Sequence, residues 1–201
     1  MKFLELNKKR HAIKHFTDQP VDPKDVRTAI EIATLAPSVH NSQPWKFVVV
    51  RQKNAELAKL AYGANYDQVM EAPVTIALFT DTDLQKRARK IARVGGVKNF
   101  TDEQLQYFMQ NLPAEFARYD AQQTSDYLAL NAGLVAMNLV LALTDQGIGT
   151  NIILGFDKSK INEVLDIEER FRPEVLITVG YAAEKVEPSY RLPVDEIIEK
   201  R

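Results

Sequence analysis

From Val74 to Phe79 the chain reads VTIALF, from Thr150 to Leu154 it reads TNIIL, and the roughly 70 residues between them are helical in pattern. Both runs are β-branched and of strand length, as are Lys46 to Val50 (KFVVV) and Val175 to Val179 (VLITV). Strands separated by helices would suit a doubly wound parallel sheet, but strands this few, with so long a helical insertion, favour an α+β fold. The helical stretches fall at about 54–62, 66–71, 83–94, 102–118, 126–146 and 158–165, the last with Asp157 as its cap. An earlier helix opens at Asp22-Pro23, an N-cap followed by proline at the first helical position, and stops at Ala36-Pro37. Within 126–146, Leu128 to Leu143 is apolar on nearly all faces, interrupted by Asn131 and Asn138. Its 16 residues fall short of the ~18 of a membrane span, so it reads as a buried core helix whose back a second subunit would cover.

Composition narrows the function. The 201 residues are 45% hydrophobic and 26% charged, the proportions of a globular chain, and neither repeats nor low-complexity linkers divide them, so one domain is expected over 1–201. Lys and Arg (26) balance Asp and Glu (27), leaving no broad basic field for nucleic acid. No cysteine is present, which excludes disulfides, thiolate nucleophiles and Cys-ligated metals, so any redox chemistry must use a borrowed cofactor. The N-terminal MKFLELNKKRHAIKHF lacks a signal-type apolar core and cleavage site, and a cytoplasmic protein is expected, with no membrane partner.

Several familiar constellations fail. His11 and His15 are four apart, as in zinc pairs, with His40 as a third ligand, but Lys9, Arg10 and Lys14 would repel a dication and no carboxylate is interleaved. No metal is expected. Gly147-Ile-Gly149 is too short for a dinucleotide fingerprint, and no G-x-S-x-G elbow exists. The basic run Gln85 to Arg93 puts Lys86, Arg89, Lys90 and Arg93 on one helical face, either a solvated surface or a steering field for an anionic cofactor such as NADPH. Two stretches are more informative. Lys9-Arg-His-Ala-Ile-Lys-His-Phe16 gathers five anion donors after an N-terminal helical segment, and Ala36-Pro-Ser-Val-His-Asn-Ser-Gln-Pro-Trp-Lys-Phe47 is a rigid polar loop entering a strand with the only tryptophan. On spacing alone they are either an anion site with a binding loop, or a charged entry helix with a structural turn.

Together these stretches resemble the FMN-dependent nitroreductase family, which begins R-R-S/H-x-x-R/K-x-F and continues A-P-S-x-x-N-x-Q-P-W-x-F. Asn65-Tyr-Asp-Gln-Val-Met-Glu-Ala-Pro73 is similar to the family's N-x-x-Q-x-x-x-A-P segment, Gly147-Ile-Gly-Thr150 to its strand entry and Tyr190-Arg-Leu-Pro193 to its terminal R-x-P tail. The resemblance covers essentially the whole chain and is weakest over about 84–120, where substrate-covering helices vary. It implies a mostly antiparallel central sheet flanked by helices, with a C-terminal tail crossing to a dimer partner.

By the same resemblance Arg10 and Arg191 would hold the FMN phosphate, with His11 and Ala12 lining that turn. Lys14 would face the N1/O2 edge of the flavin, and Asn65 with Gln68 the ribityl chain or pyrimidine edge. Ile153, Leu154 and Gly155 would border the ring, the Gly155 amide donating to N5. Pro37, Ser38, Val39, His40 and Asn41 would come from the other subunit. The implied activity is NAD(P)H-dependent ping-pong reduction of nitroaromatics, quinones or similar small acceptors. The alternatives are a non-catalytic FMN-binding dimer or a specialised reaction such as flavin destruction or dehalogenation. Tyr107, Phe108, Phe116 and Tyr119 are candidates for an acceptor pocket or for core packing. Ala12, Leu154 and Ser189 depart from polar residues found in parts of the family and imply weaker FMN binding.

Overall fold

The computed structural model describes residues 2–51, 55–97 and 99–201. In chain order the principal elements are α1 (Phe3–Lys9), α2 (Pro23–Ala33), β1 (Trp45–Val50), α3 (Ala55–Ala58), α4 (Asn65–Glu71), β2 (Val74–Asp81), α5 (Leu84–Val97), α6 (Asp102–Gln106), a π-helical turn (Tyr107–Asn111), α7 (Leu112–Phe116), α8 (Ala121–Asp145), β3 (Gly149–Ile153), α9 (Ile161–Val164) and β4 (Phe171–Gly180). The four strands form one antiparallel sheet in the order β1-β2-β4-β3.

Both faces of that sheet are covered. Val74, Ile76 and Leu78 of β2 enter one core with Ile177 and Val179 of β4, against α2 and α8. Ala77 and Phe79 enter a second with Leu176, beneath α3, α4 and α9. Successive side chains of a strand point to opposite faces, so a strand buried on both sides reads as an unbroken apolar run; VTIALF lacks alternation for this reason. Helix α2 sets Val26, Ala29 and Ala33 into the first core, and Asp22 caps it by accepting from Lys24 N–H at 2.8 Å. A third cluster joins Leu84, Ala88, Leu112 and Phe116 to Tyr127 and Leu128, anchoring α5 and α7 on α8.

Four expectations change. Helix α8 starts at Ala121, because Asp120 and Gln123 close a reciprocal capping box ahead of a polar first turn that carries no apolar periodicity. Its 25 residues contain an 18-residue window with a mean hydropathy of 1.7, so the helix is long and apolar enough to cross a membrane, unlike the 16-residue run, although 61% of that window is buried inside the protein. The 158–165 stretch is helical only over Ile161–Val164; Asp157 instead accepts from the Ser159 amide (3.0 Å) and hydroxyl (2.6 Å), capping a turn. The stretch expected at 54–62 is helical over Ala55–Ala58, and Asn54 lies outside the described residues. Strand β3 ends at Ile153, which leaves Leu154 67% exposed.

Candidate functional site

Beside β3 the chain assembles a cluster of polar groups from three distant segments. After α1 ends, residues 10–16 are extended, and Ala12 bridges Thr150 in parallel while the Ile13 amide donates to Thr150 O at 2.9 Å. Ile13 is buried against Gly149, where a Cβ would stand 2.5 Å from Ile13 Cγ1; only glycine lets the two segments approach this closely. Alternation then leaves Ala12 and Lys14 exposed. Among the described residues neither Arg10 nor Lys14 has a carboxylate partner, so both charges are available to an anion.

The end of β3 is held from the other side. Gly155 O accepts from the Tyr62 amide (2.9 Å) and from Asn65 Nδ2 (3.1 Å), and Asn151 Nδ2 donates to Gln68 Oε1 at 2.5 Å. A Cβ on Gly155 would lie 2.8 Å from Asn65 Nδ2. Among the described residues the Gly155 N–H has no acceptor, a free donor fixed by the two bonds to its own carbonyl. Asn151 was not legible as a site residue, because its partner lies 83 positions away. Next to this end, α8 and the Ile152-Leu154 stretch enclose an apolar groove of about 680 Å³, walled by Ala129, Gly133, Ala136 and Met137.

The second cluster is the 37–43 loop. His40, Asn41 and Gln43 all have positive φ (55°, 50° and 43°), and backbone of this kind costs on the order of 1 kcal/mol or more per residue unless surrounding bonds impose it. Those bonds are present. Buried Asn131 accepts from the Val39 amide at 2.9 Å and donates to Tyr127 O at 2.7 Å, while its carbonyl accepts from Trp45 Nε1 at 2.9 Å. Tyr127 Oη lies 2.7 Å from Val39 O and 2.6 Å from Ser42 Oγ, and Ser38 Oγ accepts from the Gln43 amide at 3.0 Å. Arg87 donates to Ser42 O at 3.0 Å and also to Gln43 O. Pro37 is exposed at the loop's start. His40 stacks on Tyr127 and meets Phe116 edge-on, so Phe116 and Tyr119 serve packing around it, with Tyr107 and Phe108 beside them.

Burial pushes the Tyr127 phenol up to about 12, the Ser42 bond offsetting part of the shift. The folded protein thus holds this proton more tightly than the unfolded chain, whose ordinary value is 10.0. Tyr127 stabilises the fold fully below pH 10, and that contribution is lost as pH rises through 12. Relative to Tyr127→Phe, the native protein is expected to lose roughly 2 to 3 kcal/mol across this window in denaturant titrations. Parallel pH curves for the two proteins would contradict the assignment.

The expected residues thus fall into two groups. Arg10, His11, Ala12, Lys14, Asn65, Gln68, Ile153, Leu154 and Gly155 gather along β3. Ser38 to Asn41 sit with α7 and α8, and among the described residues no hydrogen bond or ion pair joins the two groups. Arg191 joins neither: its guanidinium donates to Ser189 O and Tyr190 O in an exposed tail. The three histidines diverge, His11 to Lys9 O, His15 to Glu71 (3.2 Å) and His40 towards Glu115 (3.8 Å). Because 10–16 is extended, His11 and His15 do not share a helical face.

Comparison with known proteins shows the family and the fold. The nitroreductase family model matches residues 8–181. A nitroreductase family protein of Streptococcus pneumoniae superposes with a TM-score of 0.97 at 86% identity, over 100% of both chains. A Streptococcus pyogenes protein provisionally named an NAD(P)H nitroreductase is 67% identical over 201 residues, all of each chain. A provisional nitroreductase of Exiguobacterium sibiricum, solved in complex with FMN, is 29% identical with a TM-score of 0.89, over 100% of this chain and 98% of that one. With the family model spanning most of its length and the same fold in these relatives, the chain belongs to the nitroreductase family of oxidoreductases.

Proposed function

We infer that this protein is an FMN-dependent oxidoreductase that uses NAD(P)H to reduce nitroaromatic, quinone or similar small acceptors, and that it works as a homodimer. The observation that carries the reading is the Gly155 amide, fixed beside Asn65 and without an acceptor among the described residues, close along β3 to Arg10 and Lys14, which have no carboxylate partner among them. These residues fit FMN. Arg10 and His11 suit its phosphate, Asn65 and Gln68 its ribityl chain or pyrimidine edge, and the Gly155 N–H a ring nitrogen. Bound there, FMN supplies hydride acceptance and donation at N5, which no side chain of this cysteine-free protein supplies. The protein's share is electrostatic and positional. Lys14 places a fixed positive charge where negative charge develops on reduction, and the amide orients the reacting edge. Leu154, exposed beside the amide, offers an apolar contact to the ring of an aromatic acceptor.

A second copy completes the site. Leu130, Leu134 and Met137 expose an apolar stripe on α8, and Val194, Ile197 and Ile198 are exposed in the tail. Burying both against a partner removes apolar surface from water and brings the partner's 37–41 loop over the β3 cluster, with Arg191 of the tail reaching the phosphate. The FMN-bound Exiguobacterium relative and the NAD(P)H in the Streptococcus pyogenes protein's name support cofactor and reductant.

Initial rates of the FMN-loaded protein with p-benzoquinone test the reading. One pocket serving both substrates in turn gives parallel double-reciprocal lines for NADPH or NADH against quinone. Intersecting lines would contradict that mechanism, and turnover no faster than free FMN would leave a flavin-binding dimer without catalysis.

A further inference from the structure

Away from β3, a cleft of about 280 Å³ opens between α5, the start of β1 and the turn into β4. Five cations line it, Lys46, Lys86, Arg87, Lys90 and Arg170, against a single carboxylate, Asp81. Asp81 is already committed to Arg170 at 3.4 Å, and Glu168, outside the cleft lining, also pairs with Arg170 at 3.1 Å, so the net excess rests on the lysines and Arg87. Among the described residues Lys46, Lys86 and Lys90 have no carboxylate partner. Arg87 is held below its usual value by burial, and the nearby Arg170 charge adds to that effect while Asp81 opposes it. Cations crowded into a partly desolvated cleft repel one another, and an anion of two or more charges relieves the excess. The Phe171 ring carries Lys46 Nζ 4.2 Å and the Arg170 guanidinium 4.5 Å from its centroid, so it offers no stacking surface to a base. The chemistry suits a phosphate group rather than a nucleobase.

We propose that this cleft binds a phosphate monoester or diphosphate group through Lys46, Lys86, Lys90 and Arg170. A second cavity of about 380 Å³ shares Arg87 and Lys90 with it and is lined by Asn41 and Gln43, so a cationic path leads from the 37–43 loop into the cleft. Two sources fit: the 2′-phosphate end of NADPH, extended from the reaction face, or a separate phosphorylated metabolite. The NADPH source rests on the reading of the protein as an NAD(P)H oxidoreductase; the phosphate site does not. Of the helical face expected from sequence, Lys86 and Lys90 line the cleft with Arg87, whereas Arg89 and Arg93 line neither cavity.

The test is calorimetric titration of the FMN-loaded protein with inorganic pyrophosphate at low salt, where such contacts are least screened, beside a Lys86→Gln/Lys90→Gln variant. Both lysines are exposed, and among the described residues their side chains have no hydrogen-bond or ion-pair partner, so the variant folds, which a circular dichroism melt verifies. The native protein is expected to bind pyrophosphate and the variant at least tenfold more weakly. In the same variant, a fivefold or larger rise in KM for NADPH with unchanged KM and kcat for NADH identifies the dinucleotide as the source. Unchanged kinetics with both nucleotides, alongside weakened pyrophosphate binding, identifies a separate phosphorylated ligand. No pyrophosphate binding by the native protein, or equal binding by the variant, overturns the proposal. Because the titration needs no turnover, it stays readable if the oxidoreductase reading fails.

Discussion

Replacing Asn131 by leucine is expected to destabilise the protein by about 2 to 4 kcal/mol and to free the 37–43 loop. Asn131 is fully buried, and leucine keeps the same count and branching of side-chain heavy atoms, so no cavity opens, while its bulkier methyl groups add some crowding. What disappears is the acceptor of the Val39 amide and the donor to Tyr127 O. An amide stranded in a dry interior costs about 1 to 3 kcal/mol beyond the lost bond. The Trp45 indole keeps its partner, because that acceptor is the backbone carbonyl of residue 131. Urea unfolding should show the midpoint falling with an unchanged slope. If this loop also covers a partner's flavin, FMN retention falls with it. A loss below about 0.5 kcal/mol would mean that the left-handed backbone of His40, Asn41 and Gln43 is held by other contacts, with Tyr127 and Arg87 sufficient.

Substituting alanine for Gly155 should weaken FMN binding at least tenfold, a loss of about 1.4 kcal/mol or more. Gly155 does not have a positive φ, so the added methyl strains no backbone; it enters the space of Asn65 Nδ2, 2.8 Å away. Asn65 must swing aside and release its bond to Gly155 O, which unfastens one of the two bonds that fix the free amide. Fluorescence quenching of added FMN measures the change. The cause is separable by combining Gly155→Ala with Asn65→Ala. If the methyl acts through Asn65, the double variant binds FMN no more weakly than Asn65→Ala alone. Additive losses would mean that the methyl meets the cofactor itself.

What the sequence disclosed and what it withheld follow from the range of the interactions. Strand runs such as VTIALF and the Asp22-Pro23 helix start are local, and both reappear in the structure within a residue or two at the helix start and at most of the strand ends. The A-P-S-V-H-N-S-Q-P-W stretch was legible as a loop for the same reason. Its supports were not. Asn131 reads as a polar interruption of an apolar helix, and only the fold brings it to Val39, 92 positions away. Arg87 carries the same charge as its neighbours, and burial against Ser42 O alone separates it from them. Helix α8 was read too short because its first turn is held by a reciprocal cap instead of apolar periodicity. The pairing of Asn151 with Gln68 joins two polar side chains of no local distinction.

The central claim is that this chain holds FMN and passes electrons to it from a nicotinamide. The visible absorbance of protein mixed with FMN, filtered free of excess and then treated anaerobically with NADPH or NADH, tests both halves in one cuvette. The account predicts about one flavin retained per chain and bleaching of its absorbance by at least one nucleotide. Flavin that passes through the filter, or stays oxidised with both nucleotides, would contradict it.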